Sequence, residues 1–502
     1  MSMFNKILVA NRGEIACRIL QAASEMNIPT LAVYSEADEK ALHVLKADEA
    51  ALLGPAPALE SYLNIDRIIE VAKEHGCDAI HPGYGFLAEN HNFAKRCEDE
   101  GITFIGSNAE SIRAMGNKVE ARQMMVNSGV PVIPGMEAPA ADAAKFKEHA
   151  EAVGYPVLLK AAAGGGGKGM RVVHDPDSIE DALNGAMREA KSAFGDDSVY
   201  LEKYIEEPRH IEFQVFGDKH GNYAHLFERE CSIQRRHQKI IEETPSVAVD
   251  DGLRKKMGEA AVMVARACNY TNAGTVEFLL DKNKNFYFLE MNTRIQVEHP
   301  ITEMVVGVDL VKEQIRVASG KKLSIRQDQL RQHGHAIECR IYAEDALNNF
   351  LPSSGKLLFY REPSGPFIRV DTGVYSGVDV SVYYDPILSK LIVWGENRAD
   401  ALERMKKALD NYILLGVTTS IPYLKAILEH EKFISGETYT DFIPTYMAEW
   451  KPPQVAEDSL KAALISVVLN EMNQKAAPVE GGEQEMPSPW KTIGKWEIGM
   501  GG

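Results

Sequence analysis

Glu290-Met-Asn-Thr-Arg-Ile-Gln-Val-Glu298 carries a polar side chain at every second position, and its reading decides the rest of the chain. Successive side chains of an extended backbone point to opposite faces. Glu290, Asn292, Arg294, Gln296 and Glu298 are therefore predicted to enter one shared space. Apolar runs flank the segment and another acid recurs nearby, so the alternation reads as the wall of a site and not as a solvated strand face. Asn285 to Leu289 has the aromatic and apolar content of a strand, as does Thr275 to Leu280, while Asp281 to Lys284 between them has turn composition. The simplest register of this hairpin sets Glu277 opposite Phe288 and diagonal to Glu290 on one face. Glu277, Glu290 and Asn292 then form an all-oxygen set suited to Mg²⁺ or Mn²⁺, with the remaining positions of the cation left for water and nucleotide phosphates.

Phosphates call for a second element, and the chain supplies one upstream. Val157 to Lys160 reads as a buried strand running into Ala161-Ala-Ala163, four glycines (Gly164, Gly165, Gly166, Gly167) and Lys168-Gly-Met-Arg-Val-Val173. Glycines let backbone N–H groups approach an anion closely. No Gly-Lys-Ser/Thr closes the loop and no helix pattern follows it, which excludes a Walker loop and a dinucleotide fingerprint. A flap between two strands, folded over phosphates, fits the flanking residues.

These segments resemble the ATP-grasp fold and, more narrowly, the biotin carboxylase component of biotin-dependent carboxylases. Further matching stretches are Ala10-Asn-Arg-Gly-Glu-Ile-Ala16, His81-Pro-Gly-Tyr-Gly-Phe-Leu87, Met115-Gly-Asn-Lys118, Glu202-Lys-Tyr204, Arg209-His210, Glu230-Cys-Ser-Ile-Gln-Arg-Arg-His237, Glu338-Cys-Arg340 and Tyr384-Asp-Pro386. They keep the family's order from residue 4 to about residue 446. The fold class this implies is multidomain α/β and α+β, with a parallel-sheet domain, an ATP-grasp domain with a glycine-rich lid, and a C-terminal biotin carboxylase domain. Expected spans are 1–117 for the N-terminal α/β domain, 118–332 for the ATP-grasp domain with its lid at about 133–205, 333–446 for the C-terminal domain and 447–502 for a linker or tail that would dock a partner.

Composition agrees. A chain of 502 residues should hold several domains. Its 55 basic against 72 acidic residues give a formal charge of −17, which offers no reason to expect nucleic acid or an anionic membrane as partner. Six scattered cysteines point to reduced thiols and a cytoplasmic setting. With a strand expected at Lys6 to Ala10 no leader is expected, and no apolar run is long enough to span a membrane. In the first part, apolar runs at 7–10, 30–34, 79–81 and 103–105 alternate with helices, the first with a stripe of Ile15, Ile19, Leu20 and Ala23, as a parallel sheet requires. Strands are expected at 336–342, 367–371 and 388–394, then a helix around 399–411 and another over 458–474, followed by a Pro, Gly and Glu-rich stretch with Trp490 and Trp496.

The resemblance also implies roles. Lys118, Lys160 and the flap would hold ATP phosphates; Glu202, Lys203 and Ile205 match a hinge at adenine, and His210, Gln234 and His237 a nucleotide contact. Glu277, Glu290 and Asn292 would take the metal. Bicarbonate would meet Lys239, Arg294, Gln296, Val297 and Glu298, with Glu298 as general base, and biotin would meet Tyr84 and Arg340. Glu89 of the His81 loop matches the site's edge. Cofactors would be ATP and Mg²⁺ (or Mn²⁺), with biotin as a carried substrate: no Ala-Met-Lys-Met biotin acceptor occurs here. A biotin carboxyl carrier protein and a carboxyltransferase would then be separate chains, and a homodimer or larger assembly is expected. The tail, with Arg340-Ile-Tyr-Ala-Glu-Asp345, leans toward acyl-CoA carboxylase α chains of the propionyl and methylcrotonyl type. The competing readings are the biotin carboxylase component of a pyruvate carboxylase, another ATP-grasp ligase joining a carboxylate to an amine, and a non-catalytic ATP-binding scaffold.

Overall fold

Short apolar runs separated by helices build a parallel sheet in the order Glu49–Gly54, Thr30–Ser35, Ile7–Val9, Ala79–His81, Thr103–Phe104. Glu49–Gly54 lies outside the expected set. As an edge strand it buries only alternate residues, so no continuous apolar run marks it. The helix Gly13–Glu25 lays Ile15, Ile19, Leu20 and Ala23 against the sheet, all buried as its periodicity predicts. Burying each of the larger three contributes roughly 1.5–3 kcal/mol.

The computed structural model describes residues 3–136, 143–161, 170–236, 238–452 and 456–475. The chain forms two units, Met1–Trp450 and Lys451–Gly502. In the second, the described residues include the helix Glu457–Lys475, close to the predicted span. The glycine flap with Gly165, Gly166 and Gly167, His237, and both tail tryptophans lie outside the described residues.

The larger sheet has eight antiparallel strands in the order Phe286–Asn292, Asn272–Leu280, Arg209–Gly217, Tyr223–Arg235, Gln238–Thr244, His335–Tyr342, Ile387–Gly395, Ile368–Thr372. It runs without a break from the expected ATP-grasp span into the expected C-terminal span, joined where Gln238–Thr244 pairs with His335–Tyr342. That junction brings residues about a hundred positions apart in sequence onto one face. A separate three-stranded sheet, Arg171–Val173, Val157–Ala161 and Val199–Lys203, packs with the helices Ala143–Val153 and Ile179–Phe194 around its own apolar core. Val157–Ala161 and Arg171–Val173 are antiparallel neighbours, as a strand-flap-strand arrangement requires.

Two expectations about the decisive stretch need correction. Glu277 pairs directly with Glu290, not with Phe288, which faces Phe278. The turn is one residue longer than the simplest reading allows, because Asp281 N donates to Asn285 O and the Asp281 carboxylate accepts from the N–H groups of Asn283 and Asn285. A β-bulge at Leu289 then inserts a second extra residue and restores the acids to opposite positions. The extended run is also shorter than predicted. The strand stops at Asn292, and the chain bends and turns into the helix His299–Val306. Ile295 is fully buried in the core that also holds Ile7, Val9 and Ile15, and this contact draws the chain off the sheet edge.

Candidate active site

A cavity of about 1060 Å³ opens over the larger sheet. Its wall includes Tyr84, Lys118, Lys160, Glu202, Lys203, Ile205, His210, Gln234, Lys239, Glu277, Glu290, Asn292, Arg294, Gln296, Val297 and Arg340. Of the described residues assigned to the site from sequence, two do not line it: Glu298, which sits fully buried behind the wall, and Glu89, which touches it through Arg294.

At the centre one ammonium meets three acids. Lys239 Nζ donates to Glu277 Oε1 at 2.8 Å, to Glu298 Oε1 at 2.7 Å and to Glu212 Oε2. Burial alone would lower the Lys239 pKa, but Glu212, Glu277 and Glu298 hold it well above its ordinary value. Glu277 is also approached by His210 Nε2 at 2.9 Å and accepts from Asn292 Nδ2 at 2.9 Å and Gln296 Nε2 at 3.2 Å. Burial raises the Glu277 pKa, and Lys239 and His210 outweigh it, leaving the carboxylate far below its usual range. Its cross-strand partner behaves oppositely: Glu290 makes no hydrogen bond or ion pair among the described residues, and burial and Glu277 push its pKa up against the pull of Lys118. An unpartnered carboxylate opposite an ionised one, both lining a cavity, is a donor set that suits a hard divalent cation.

Glu298 stands at the start of the helix His299–Val306, and its two oxygens are held by different cations. Oε1 accepts from Lys239, and Oε2 from Arg340 Nη2 at 2.8 Å. Burial raises its pKa, but Lys239, Arg340 and Arg229 carry it well below the usual carboxylate range. Arg340 turns its Nε to Glu242 Oε1 at 2.6 Å, so its ion-pair partners are Glu242 and Glu298 and not Glu338. Arg294 is fixed on three sides, by Glu89 Oε2 at 2.9 Å, Gln296 Oε1 at 3.1 Å and Asn292 Oδ1 at 3.0 Å. Glu89 also accepts from Thr293 N, which ties the His81 loop to the bend after the strand.

On the phosphate side, Lys160 Nζ rests on Glu202 Oε2 at 2.8 Å. Lys118 opens the helix Lys118–Asn127, whose N-cap Asn117 accepts from Val119 N and Glu120 N. Lys203 turns its ammonium to the Gly154 and Tyr155 carbonyls, tying its strand to the turn before Val157–Ala161. His210 Nδ1 and Gln234 Nε2 are 2.9 Å apart.

A buried charged layer behind this wall escaped the sequence reading. Arg229 is fully buried and reaches Glu212, Gln214, Thr275 and Thr302. Lys390, also fully buried, donates to Val297 O at 2.9 Å and lies 3.1 Å from Glu14 Oε2, while Glu14 Oε1 accepts from the Tyr84 hydroxyl. One signal for the layer was available: His210, Glu212 and Gln214 alternate in the strand Arg209–Gly217 just as Glu290 and Asn292 do.

Two lysines lining the cavity, paired acids across a bulged hairpin, and a buried carboxylate between two cations suit an ATP-grasp ligase. Residues 3–112 match the family described as biotin carboxylase, N-terminal domain, residues 117–326 the carbamoyl-phosphate synthase L chain, ATP binding domain, and residues 338–445 the biotin carboxylase C-terminal domain. A pyruvate carboxylase chain of Methanothermobacter thermautotrophicus is 56% identical over 445 residues, 88% of this chain and 90% of that protein. The mitochondrial methylcrotonoyl-CoA carboxylase α chain of Dictyostelium discoideum is 50% identical over 496 residues, 98% of this chain and 70% of that one. The biotin carboxylase domain dimer of Hydrogenobacter thermophilus 2-oxoglutarate carboxylase, crystallised with MgADP, ADP and bicarbonate, superimposes with a TM-score of 0.85 at 46% identity, covering 90% of this chain and 100% of that one. The chain belongs to the biotin carboxylase family, the ATP-dependent ligases of biotin-dependent carboxylases.

Proposed function

We propose that this chain uses ATP to phosphorylate bicarbonate and passes the resulting carboxyl group from carboxyphosphate to the ureido nitrogen of biotin. The observation that carries this reading is Glu298 held between Lys239 and Arg340, two residues of the cavity wall. In that arrangement its proton affinity is low. An anion that draws Lys239 toward itself loosens one of the two clamps and returns basicity to Glu298 when bicarbonate is present to be deprotonated. Arg294, preset by Glu89, Asn292 and Gln296, offers a planar fork to bicarbonate beside Gln296 and Val297. Lys118, Lys160 and the glycine flap neutralise the ATP phosphates, while Glu202, Lys203, Ile205, His210, Gln234 and His237 receive the nucleoside. Glu277 and Glu290, with Asn292 beside them, would hold Mg²⁺, which when bound supplies charge neutralisation at the phosphates. Arg340 stabilises negative charge on the biotin ureido oxygen, and Tyr84 borders the same space.

The expected spans 1–117, 118–332, 333–446 and 447–502 remain the proposed division of the chain. The proposed partners are a biotin carboxyl carrier protein, a carboxyltransferase and a second copy of this chain, in the cytoplasm. No described helix is long and apolar enough to cross a membrane. The test is ATP cleavage that requires bicarbonate and rises with free biotin. Glu298→Gln is expected to keep ATP binding and lose roughly 10²–10⁴-fold of that turnover, the range for deleting a general base; unchanged turnover would remove Glu298 from its role.

A further inference from the structure

Glu338 is fully buried, and neither of its oxygens has a hydrogen-bond partner. It stands directly opposite Glu242 in the pairing of His335–Tyr342 with Gln238–Thr244, and Glu242 keeps one oxygen on Arg340 while its Oε2 is also without a partner. Directly opposed side chains on one sheet face lie roughly 5 Å apart at Cβ. Three buried oxygens of two facing carboxyl groups are thus left over. Two ionised acids cannot share such a place, since an unpaired buried carboxylate costs several kcal/mol, roughly, and gives way to the neutral form.

The cations that could have balanced Glu338 are committed elsewhere. Arg340, on its own strand, is shared between Glu242 and Glu298. Lys390, paired in register with Arg340 on the next strand, serves Glu14 and the Val297 carbonyl, with Asp371 at 3.7 Å. Glu298, at the start of the helix His299–Val306, acts on it too, and Ile301 and Val305 of that helix pack with Ala336 and Ile392 around its strand. The opposite face, with Ile337 and Cys339, belongs to an apolar core shared with Leu402 and Met405.

We propose that Glu338 keeps its proton through turnover and shares it with Glu242, and that this held acid is a positioning residue that fixes Arg340 between Glu242 and Glu298. Burial drives the Glu338 carboxyl well above its ordinary range despite the pull of Lys390, and it pushes Glu242 up to about 7 despite Arg340. One proton between them joins two of the three leftover oxygens in a hydrogen bond and leaves a single negative charge on the pair. Arg340 then balances two carboxylates and not three. An ionised Glu338 would compete with Glu298 for the guanidinium and pull it away from the cavity.

The structural half of this proposal is independent of the proposed reaction, and the kinetic half rests on it, so the experiment has two arms. Infrared spectra at neutral pH are expected to show the carbonyl band of a protonated carboxylic acid in the wild-type protein, shifting in D₂O and missing from Glu338→Gln. Glu338→Asp, which moves the band without removing it, makes the assignment should the glutamine variant fail to fold. In kinetics, Glu338→Ala is expected to lower biotin-dependent kcat by roughly 10²-fold, the effect of about 1 Å of misplacement, with the KM for ATP little changed. Glu338→Gln, which copies the shape and neutrality of the acid, is expected to restore most of it. Absence of a protonated-carboxyl band in the wild-type protein would overturn the held proton. A glutamine variant as damaged as the alanine variant would overturn the positioning role, whatever becomes of Glu298→Gln.

Discussion

Lys239 is the residue on which the centre depends, because its ammonium holds Glu212, Glu277 and Glu298 together with only 11% of its side chain exposed. Replacing it with methionine keeps the length and leaves three buried acids short of a cation. The expected cost is about 3–5 kcal/mol of unfolding free energy, the range for stripping one partner from a buried ion pair. Chemical denaturation in Mg²⁺-free buffer measures it. A loss under about 1 kcal/mol, the level of a surface ion pair, would mean that the acids are balanced by other groups.

At the scale of the hairpin, Glu277 and Glu290 face each other with opposite duties, and their variants should separate. Both Glu277→Gln and Glu290→Gln are expected to raise the Mg²⁺ concentration needed for activity. Only Glu277→Gln should cost stability without metal, by roughly 1–3 kcal/mol, because Glu277 is bonded to Lys239, Asn292 and Gln296 while Glu290 has no such partner among the described residues. Equal metal titrations for wild type and both variants would return the hairpin to a plain strand face. A second element-scale test lies where the two spans of the large sheet join. Glu243 accepts from His335 at 2.7 Å and from Arg398 at 2.7 Å, and against the upward push of burial these lower its pKa from 4.5 to about 2. A depressed folded pKa gives stability that is fully present above about 4.5 and is lost as pH falls toward about 2. At about 1.4 kcal/mol per pH unit this amounts to about 3 kcal/mol. Glu243→Gln should therefore be less stable than wild type by about that much at pH 7, with the gap closing below pH 4.5; a gap independent of pH would deny the linkage.

The hairpin also shows what the sequence could carry. Acids at 277 and 290, flanking apolar runs and a turn at 281 announce two paired strands, and alternation places the polar groups on one side. Register is another matter, since the longer turn and the bulge at Leu289 answer to local backbone hydrogen bonding and twist and leave no compositional trace. The end of the strand at Asn292 goes with Ile295 joining the core that holds Ile7 and Ile15, an association across nearly 300 positions that no window reveals. His210, Glu212 and Gln214 obey the same alternation rule and could have been read. Arg229 and Lys390 could not, because a cation inside an apolar strand looks exposed until its distant partners are known.

For the whole molecule, three relatives named for pyruvate, methylcrotonoyl-CoA and 2-oxoglutarate are 46–56% identical to this chain over the aligned residues, so likeness in this region does not separate carboxylases named for different acceptors. In the proposed reading a separate carboxyltransferase chooses the acceptor, and the part of this chain proposed to dock such a partner is the second unit. Likeness to the methylcrotonoyl-CoA carboxylase chain extends over 496 residues and so reaches into it. Its helix Glu457–Lys475 exposes Leu460, Leu464, Ile465, Val467, Val468 and Leu469, an unusual apolar content for a solvent-facing surface. Every residue assigned to ATP, metal, bicarbonate or biotin lies within Met1–Trp450. Deleting residues 451–502 is accordingly expected to leave biotin-stimulated ATP cleavage within about twofold of wild type, as for changes remote from the reacting groups, and to weaken capture of the carrier or carboxyltransferase chain. A pull-down and a free-biotin assay on the same truncated protein measure both. Loss of free-biotin turnover in a folded truncation would assign the tail to the catalytic unit, and undiminished capture would place the docking surface within residues 1–450.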